Sequence, residues 1–295
     1  MNISGTTQVL GIIGHPIEHV LSPVMHNELF QLQGLDWVYV PFNVQPAHLQ
    51  QVIDGFRFSN IRGFNVTIPH KVSIIPLLDE LVAYANQIGA VNTVKNDYGK
   101  LIGRNTDGEG AIQSLIEHDF PLNNSVITIF GAGGAARALA YHILDYSNDI
   151  CVVNRSKSHL SQFLSDIRKN IAASKTDQYN ISGILFESKK EIKNRLAHTD
   201  LIINTTPLGM TPHIDSCPIL SKWIQPKTAV FDVIYTPCET KLLRDAQNKG
   251  CRVLNGLEML VNQGAIAFEW WTNQKADKKR MKEIVLKWLK NKKFR

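Results

Sequence analysis

The sequence predicts an α/β protein of two domains. Three observations carry that expectation. The chain has 295 residues, enough for two domains of ordinary size. Short apolar runs of strand character alternate with helix-period segments, the pattern of a parallel sheet covered on both faces. A second strand–glycine turn–helix unit starts at Ser125, after the first third has completed its own alternation. At 44% hydrophobic and 20% charged residues the composition is that of ordinary globular material.

The elements follow in order. Val9–Gly14 reads as a short buried strand. Ser22-Pro23 has the form of an N-cap followed by Pro at the first helical position, opening a helix that stops at Gly34. Trp37–Val44 is a second strand and Phe64–Ile68 a third, followed by a helix ending near Gly89. Ala90–Lys95 and Lys100–Arg104 flank Asn96-Asp97-Tyr98-Gly99, a hairpin signal. Asn105-Thr106-Asp107-Gly108 leads into a helix over Glu109–His118. In the second unit Val126–Phe130 is a buried strand, Ala135–Tyr146 a helix and Ile150–Asn154 the next strand. Further strands are expected at Leu201–Asn204, Ala229–Val233 and Arg252–Leu254. Residues 170–195 are polar and weakly patterned, and are read as an insertion or a variable helix and strand.

Charge and cysteine usage narrow the function classes. The net charge is +6, but residues 275–295 hold ten Lys/Arg against two acidic residues, a net +8 that leaves −2 for the other 274. That tail sets Met281, Ile284, Val285, Trp288 and Leu289 at helical spacing, so it reads as a docked terminal helix with a solvated basic face rather than a nucleic-acid or membrane anchor. No nucleic-acid-binding motif accompanies it. No apolar run reaches the roughly 18 residues that span a bilayer, and no signal peptide is evident. The scattered cysteines Cys151, Cys217, Cys238 and Cys251 fit a reducing cytoplasm and argue against a metal site or a disulfide framework.

Asn65-Val-Thr-Ile-Pro-His-Lys71 is the most informative stretch. Phe64, Val66 and Ile68 alternate with Asn65 and Thr67, as in a strand with one buried face. Pro69 suits the first position of a helix, which places Lys71 in a first turn. The macrodipole there is positive, so a cation has a cost that lowers its pKa toward a range useful for proton transfer. By itself the segment also suits a surface lysine after a turn.

Gly131-Ala132-Gly133-Gly134-Ala135-Ala136 follows a strand and opens a helix. Gly131 allows the tight turn, Gly133 lets backbone approach a pyrophosphate, and Ala136 permits close helix–strand packing. The helix N-terminus offers free N–H groups to phosphate. An acid at the end of the next strand would bind the ribose 2′-hydroxyl of NAD. Here that strand ends in Asn154-Arg155-Ser156, with Asn154 lying 23 positions after Gly131. Arg155 and the Ser156 hydroxyl suit a 2′-phosphate instead, so the expected cofactor is NADP.

These segments, together with Gly14–Pro23, Gly89–Thr93, Asn105–Gly108, Asn204–Met210, Asp232–Tyr235 and Gly256–Gly264, occur in an order that resembles the shikimate dehydrogenases over roughly residues 8–272. The resemblance implies an N-terminal α/β substrate domain with a mixed sheet, residues 1–107 with 257–295, plus a Rossmann-type NADP-binding domain, 108–256. It places the site in the cleft where the domains meet. It implies NADPH-dependent reduction of 3-dehydroshikimate to shikimate by a cytoplasmic monomer or homodimer. Lys71 and Asp107 would flank the reacting oxygen, with Lys71 as proton donor. Asn65, Asn92 and Gln263 would bind ring hydroxyls, and Ser22, Thr67 and Tyr235 would lie near the substrate carboxylate. Asn204-Thr205-Thr206 and Val233 would line the nicotinamide end, and Gly256 would also bind the cofactor. Taken singly, Asn92 and 105–108 suit plain turns, and Tyr235 and Gln263 suit core or surface positions.

Two departures stand out. Val20 occupies a position where the family usually has Ser or Thr, removing a hydrogen-bond donor near the carboxylate. His159 stands where many relatives carry a second basic residue for the 2′-phosphate. They keep open a quinate/shikimate dehydrogenase using NAD or NADP. An NADP-binding sensor without turnover is the alternative of another class, which the Lys71 and Asp107 pair opposes.

Overall fold

The structure, a computed structural model, describes residues 3–18, 20–82, 84–170 and 178–292. In chain order the elements are β1 (Gln8–Gly14), α1 (Ser22–Leu32), β2 (Trp37–Asn43), α2 (Leu49–Arg57), β3 (Ile61–Val66), β4 (Glu80–Leu81), α3 (Ala85–Ile88), β5 (Thr93–Asp97), β6 (Lys100–Arg104) and α4 (Asp107–Glu117). There follow β7 (Val126–Phe130), α5 (Gly134–Ile143), β8 (Asp149–Asn154), α6 (Lys157–Asn170), β9 (Asn180–Leu185), α7 (Lys189–Leu196), β10 (Leu201–Asn204), β11 (Ala229–Asp232), α8 (Lys241–Gln247), β12 (Val253–Leu254), α9 (Leu257–Thr272) and α10 (Lys278–Lys292). The chain divides into two compact units, one of Met1–Thr106 with Leu260–Arg295 and one of Asp107–Met259.

The first unit holds a mixed sheet in the order β2-β1-β3-β5-β6-β4. Strands β1, β2 and β3 run parallel, and β5 lies antiparallel to both β3 and β6. The β5–β6 hairpin turns through Tyr98 and Gly99 with φ of 50° and 96°, the paired positive φ that matches strand twist in a two-residue turn. One sheet face packs Ile13, Phe64, Val66 and Val94 on Ile53. An aromatic group of Phe30, His26, Tyr39, Phe268 and Trp271 stacks beside it. Gly63 matters here, because a Cβ would meet Trp271 Nε1 at 2.4 Å. Helix α10 packs on α1 and buries Met281, Ile284 and Val285, while Lys279, Lys287 and Lys290 face solvent.

The second unit is an all-parallel sheet in the order β12-β11-β10-β7-β8-β9. Read from its far edge this is the doubly wound order 3-2-1-4-5-6, with the reversal between β7 and β10. Neighbouring residues of one strand enter opposite cores: Ile129, Val152, Ile203 and Phe231 one, Phe130, Val153, Ile202 and Val230 the other. That is why these strands read as unbroken apolar runs.

Four expectations need correction. No helix begins at Pro69. Residues 69–74 form turns, a short 3-10 turn covers Ile75–Leu77, and β4 and the four-residue α3 complete the segment to Gly89. Pro76 stops propagation, since it lacks an N–H and disfavours helix in the residue before it. The macrodipole argument for Lys71 therefore has no helix to rest on. Second, β3 has no single buried face: Phe64, Asn65 and Val66 are all buried because β3 lies inside the sheet, and Ile68 beyond it is 68% exposed. Third, Ser22 does not cap α1. Leu21 holds the cap position without a side-chain bond, and Ser22 is the first helical residue. Fourth, the strand expected from Ala90 begins at Thr93, and the one expected from Arg252 begins at Val253. In the polar stretch 170–195, β9 and α7 appear, and 171–177 lie outside the described residues.

Candidate active site

In the first unit the expected substrate residues collect around the end of β3. Asn65 is buried and register-paired with Ile12 of β1 and Thr93 of β5. Its Nδ2 donates to the Asn92 carbonyl and to Thr93 Oγ1, each at 3.0 Å, and its Oδ1 accepts the Tyr39 hydroxyl at 2.6 Å. Both amide hydrogens are thus engaged, leaving one lone pair on Oδ1. Burial raises the pKa of the Tyr39 phenol well above its ordinary value, and the neighbouring Ser22 side chain opposes this.

Asn92 extends the cluster. Its Oδ1 accepts from the Thr106 N–H at 2.8 Å and from Thr93 Oγ1 at 3.0 Å. Its Nδ2 donates to Thr106 Oγ1 at 3.0 Å and to Gln263 Oε1 at 3.4 Å. Gln263, on α9, donates its own Nε2 to the Leu260 carbonyl at 2.8 Å. Thr67 continues the β3 line, with its N–H on the Ile13 carbonyl at 2.9 Å. Gly14 permits this approach, since a Cβ there would meet Thr67 Cγ2 at 2.4 Å. Lys71 is half-buried and its carbonyl accepts the Val91 N–H at 2.7 Å, tying the turn to the Asn92 segment. Val20 is half-buried in the loop before α1.

The second unit begins at Asp107, a buried residue that opens α4, where the helix dipole favours a carboxylate. The glycine turn leaves β7 at Gly131, whose φ is +109°. A Cβ at Gly131 would stand 2.4 Å from Thr205 Oγ1, and that hydroxyl donates to the Phe130 carbonyl at 2.7 Å. At Gly133, the cap of α5, a Cβ would meet nothing within 4 Å. The protein's own packing gives no reason for glycine there; room for a phosphate does. Ala132, Gly134 and Ala135 are partly exposed around the turn, and Ala136 is buried in the core. At the end of β8, Asn154 Nδ2 donates to the Ser156 carbonyl at 3.1 Å, and Arg155 is exposed. Ser156 Oγ accepts the His159 N–H at 3.3 Å, opening α6. These residues fit an NADP: an open glycine turn, a helix start and an exposed guanidinium with no acid at the strand end. Beyond β11, Gly256 is required by the Val233 carbonyl, whose oxygen would lie 1.9 Å from a Cβ. Burial pushes the Tyr235 phenol up to about 12.

Tyr39, Thr93, Thr106 and Asp232 join these clusters without having been assigned a role from sequence. Thr93 and Thr106 stood inside the motif segments, so adjacency was a signal. Tyr39 had none, because its link to Asn65 spans two strands. Among the described residues, no group of three His, Cys, Asp or Glu side chains is placed to hold a metal ion, and no helix is long and apolar enough to cross a membrane.

Rossmann order, glycine turn and basic strand end place the chain among NADP-type oxidoreductases. Comparison with known proteins specifies which. Residues 12–94 match the shikimate dehydrogenase substrate binding domain family, and 256–286 match the shikimate 5'-dehydrogenase C-terminal domain family. The chain is 42% identical over 285 residues to a shikimate dehydrogenase (NADP(+)) of Methanocaldococcus jannaschii, covering 96% of this chain and 98% of that one. A crystal structure of a shikimate dehydrogenase with NADP+ superposes with a TM-score of 0.87 at 40% identity, covering 98% of each chain. A shikimate 5-dehydrogenase from Listeria monocytogenes, in complex with shikimate and NAD, gives 0.86 at 37% identity, covering 97% of this chain and 98% of that one. The chain belongs to the shikimate dehydrogenase family.

Proposed function

We propose that this protein catalyses the reversible NADPH-dependent reduction of 3-dehydroshikimate to shikimate. The observation that carries this reading is the pairing, in one chain of this family, of a buried amide–hydroxyl cluster beside Lys71 with an NADP-type glycine turn and Arg155. Substrate binding falls to residues 1–107 with 257–295, and cofactor binding to 108–256. NADPH supplies the hydride when bound. Lys71 Nζ donates a proton to the ketone oxygen as that carbon is reduced, and takes it back in the reverse direction. Asp107 accepts a hydrogen bond from a ring hydroxyl and orients Lys71.

The Asn65 cluster recognises the polyol ring. With both its N–H groups engaged, Asn65 offers its remaining lone pair to a ring hydroxyl. Asn92 and Gln263 take the other hydroxyls, and Ser22, Thr67 and Tyr235 hold the carboxylate. Gly131–Ala136 cradle the pyrophosphate, Asn154, Arg155 and Ser156 hold the 2′-phosphate, and Thr205, Val233 and Gly256 line the nicotinamide end. The enzyme works in the cytoplasm as a monomer or homodimer.

The deciding experiment measures kcat/KM for shikimate and for quinate, each with NADP and NAD. The reading expects shikimate with NADP to exceed every other pairing by at least tenfold. A quinate preference would overturn it, and Val20 is the residue that makes quinate worth assaying.

A further inference from the structure

We infer that Asp232 is a positioning residue that sets the nicotinamide end of the cofactor site without touching the cofactor. The inference rests on the cofactor assignment made above. Asp232 ends β11 and is fully buried, and no cation pairs with it among the described residues. A buried carboxylate is costly unless well hydrogen-bonded, and this one is held entirely by neutral donors. Thr240 Oγ1 donates to Oδ2 at 2.7 Å; Asn204 Nδ2 at 3.0 Å and the Ile234 N–H at 3.1 Å both donate to Oδ1. Burial still raises its carboxyl to about 6 against these bonds.

Each donor belongs to a different segment. Asn204 ends β10 and is the register partner of Asp232. An ionised carboxylate only accepts, so it dictates that the Asn204 amide present Nδ2 toward it. The opposite face of the amide is then Oδ1, which accepts from Thr206 Oγ1 at 2.7 Å and the Thr206 N–H at 3.1 Å. Asn204 Nδ2 also donates to the Leu208 carbonyl at 3.2 Å. One charge thereby fixes the loop that carries Thr205 against Gly131. The Ile234 bond fixes the segment carrying Val233, whose carbonyl lies against Gly256. Thr240 accepts the Leu243 N–H at 3.3 Å and starts α8, anchoring the carboxylate from below. Among the described residues no hydrogen bond joins Gly131–Gly134 or Arg155 to Asp232 or its three donors, and Thr205 reaches the Phe130 carbonyl just before the turn.

The arrangement predicts a split between the two ends of the cofactor. The test compares NADPH with 2′-phospho-ADP-ribose, which lacks the nicotinamide, by titration calorimetry on wild type, Asp232→Ala and Asp232→Asn. NADPH affinity should fall at least fivefold in Asp232→Ala, while affinity for the fragment stays within twofold. Asp232→Asn keeps the shape and one acceptor oxygen and should lose about half as much on a logarithmic scale; it decides the matter if the alanine variant does not fold. In either variant kcat for shikimate oxidation should fall more than tenfold. Equal weakening of both ligands, or unchanged NADPH affinity in a folded variant, would overturn the assignment. Wild type that binds both ligands but does not oxidise shikimate would sink the proposed reaction and leave this binding comparison standing.

Discussion

At the end of β3, Asn65 gathers Tyr39, Asn92 and Thr93 through neutral groups alone. At the end of β11, Asp232 gathers Thr240, Asn204 and Ile234 through a carboxylate. The neutral cluster is oriented only by exhaustive mutual pairing, since an amide can bond either way round. The carboxylate dictates direction, because it accepts and never donates while ionised. The difference teaches that directional certainty comes with titration: the charged cluster responds to pH and the amide cluster does not. The first unit has its own buried titratable group in His26. It is stacked 4.7 Å from Tyr39, neither ring nitrogen has a hydrogen-bond partner among the described residues, and burial lowers its pKa to about 3.

The largest expected effect separates the chemistry of the two units. Lys71→Ala should lower kcat by roughly 10²–10⁴ while NADPH binding, followed by fluorescence titration, stays near wild type. Near-normal turnover would remove the lysine from the mechanism.

Next come the two buried titrating groups, which act in opposite directions. The pKa of His26 is depressed on folding from 6.5 to about 3, so its neutral form is favoured. Stability is full above 6.5 and drains as pH falls, by about 1.4 kcal/mol per unit and roughly 3 kcal/mol by pH 4. His26→Phe should flatten that loss and stabilise the unit at neutral pH by about 1–3 kcal/mol, because it removes unpaired buried nitrogens. Asp232 is raised from 3.8 to about 6, so its contribution is full below 3.8 and lost as pH rises through about 6. Its size is roughly 3 kcal/mol, and Asp232→Asn should abolish that slope. Hydrogen exchange of β1 and β2 amides against β10 and β11 amides, between pH 7 and 4, reads each group in its own sheet. Parallel slopes in the two sheets would break the comparison.

Smaller effects concern specificity. Arg155→Gln should raise KM for NADP by roughly tenfold to a hundredfold, the worth of a charge-assisted phosphate contact, and leave KM for NAD unchanged. A rise in both would move Arg155 out of the 2′-phosphate site. Val20→Ser should lower KM for shikimate about fivefold, one neutral hydrogen bond. An unchanged KM would show that Ser22, Thr67 and Tyr235 already satisfy the carboxylate.

How much of this was legible beforehand depends on the reach of each signal. The parallel sheet of the second unit was readable because strands buried on both faces are unbroken apolar runs, and β7 and β10 fall where those runs stand. The turn at Gly131 and the absence of an acid after β8 are likewise local facts. The segment after Pro69 was misread because Pro69 and the residues around it suit a helix start, while Pro76 seven residues later vetoes propagation. Ser22 was misread because a serine before a proline has the form of a cap, and only the fold shows that Leu21 takes the cap position and Ser22 the first position of the helix.

The sequence by itself therefore determined the class of fold, the glycine turn and the lack of a carboxylate at the end of β8, all set within a few residues by steric freedom, periodicity and charge. The tertiary structure alone decided which side chains meet: Tyr39 with Asn65, and Asn204 with Asp232. Those pairs are separated by whole strands and helices, and they form because burial leaves each polar group no water to turn to.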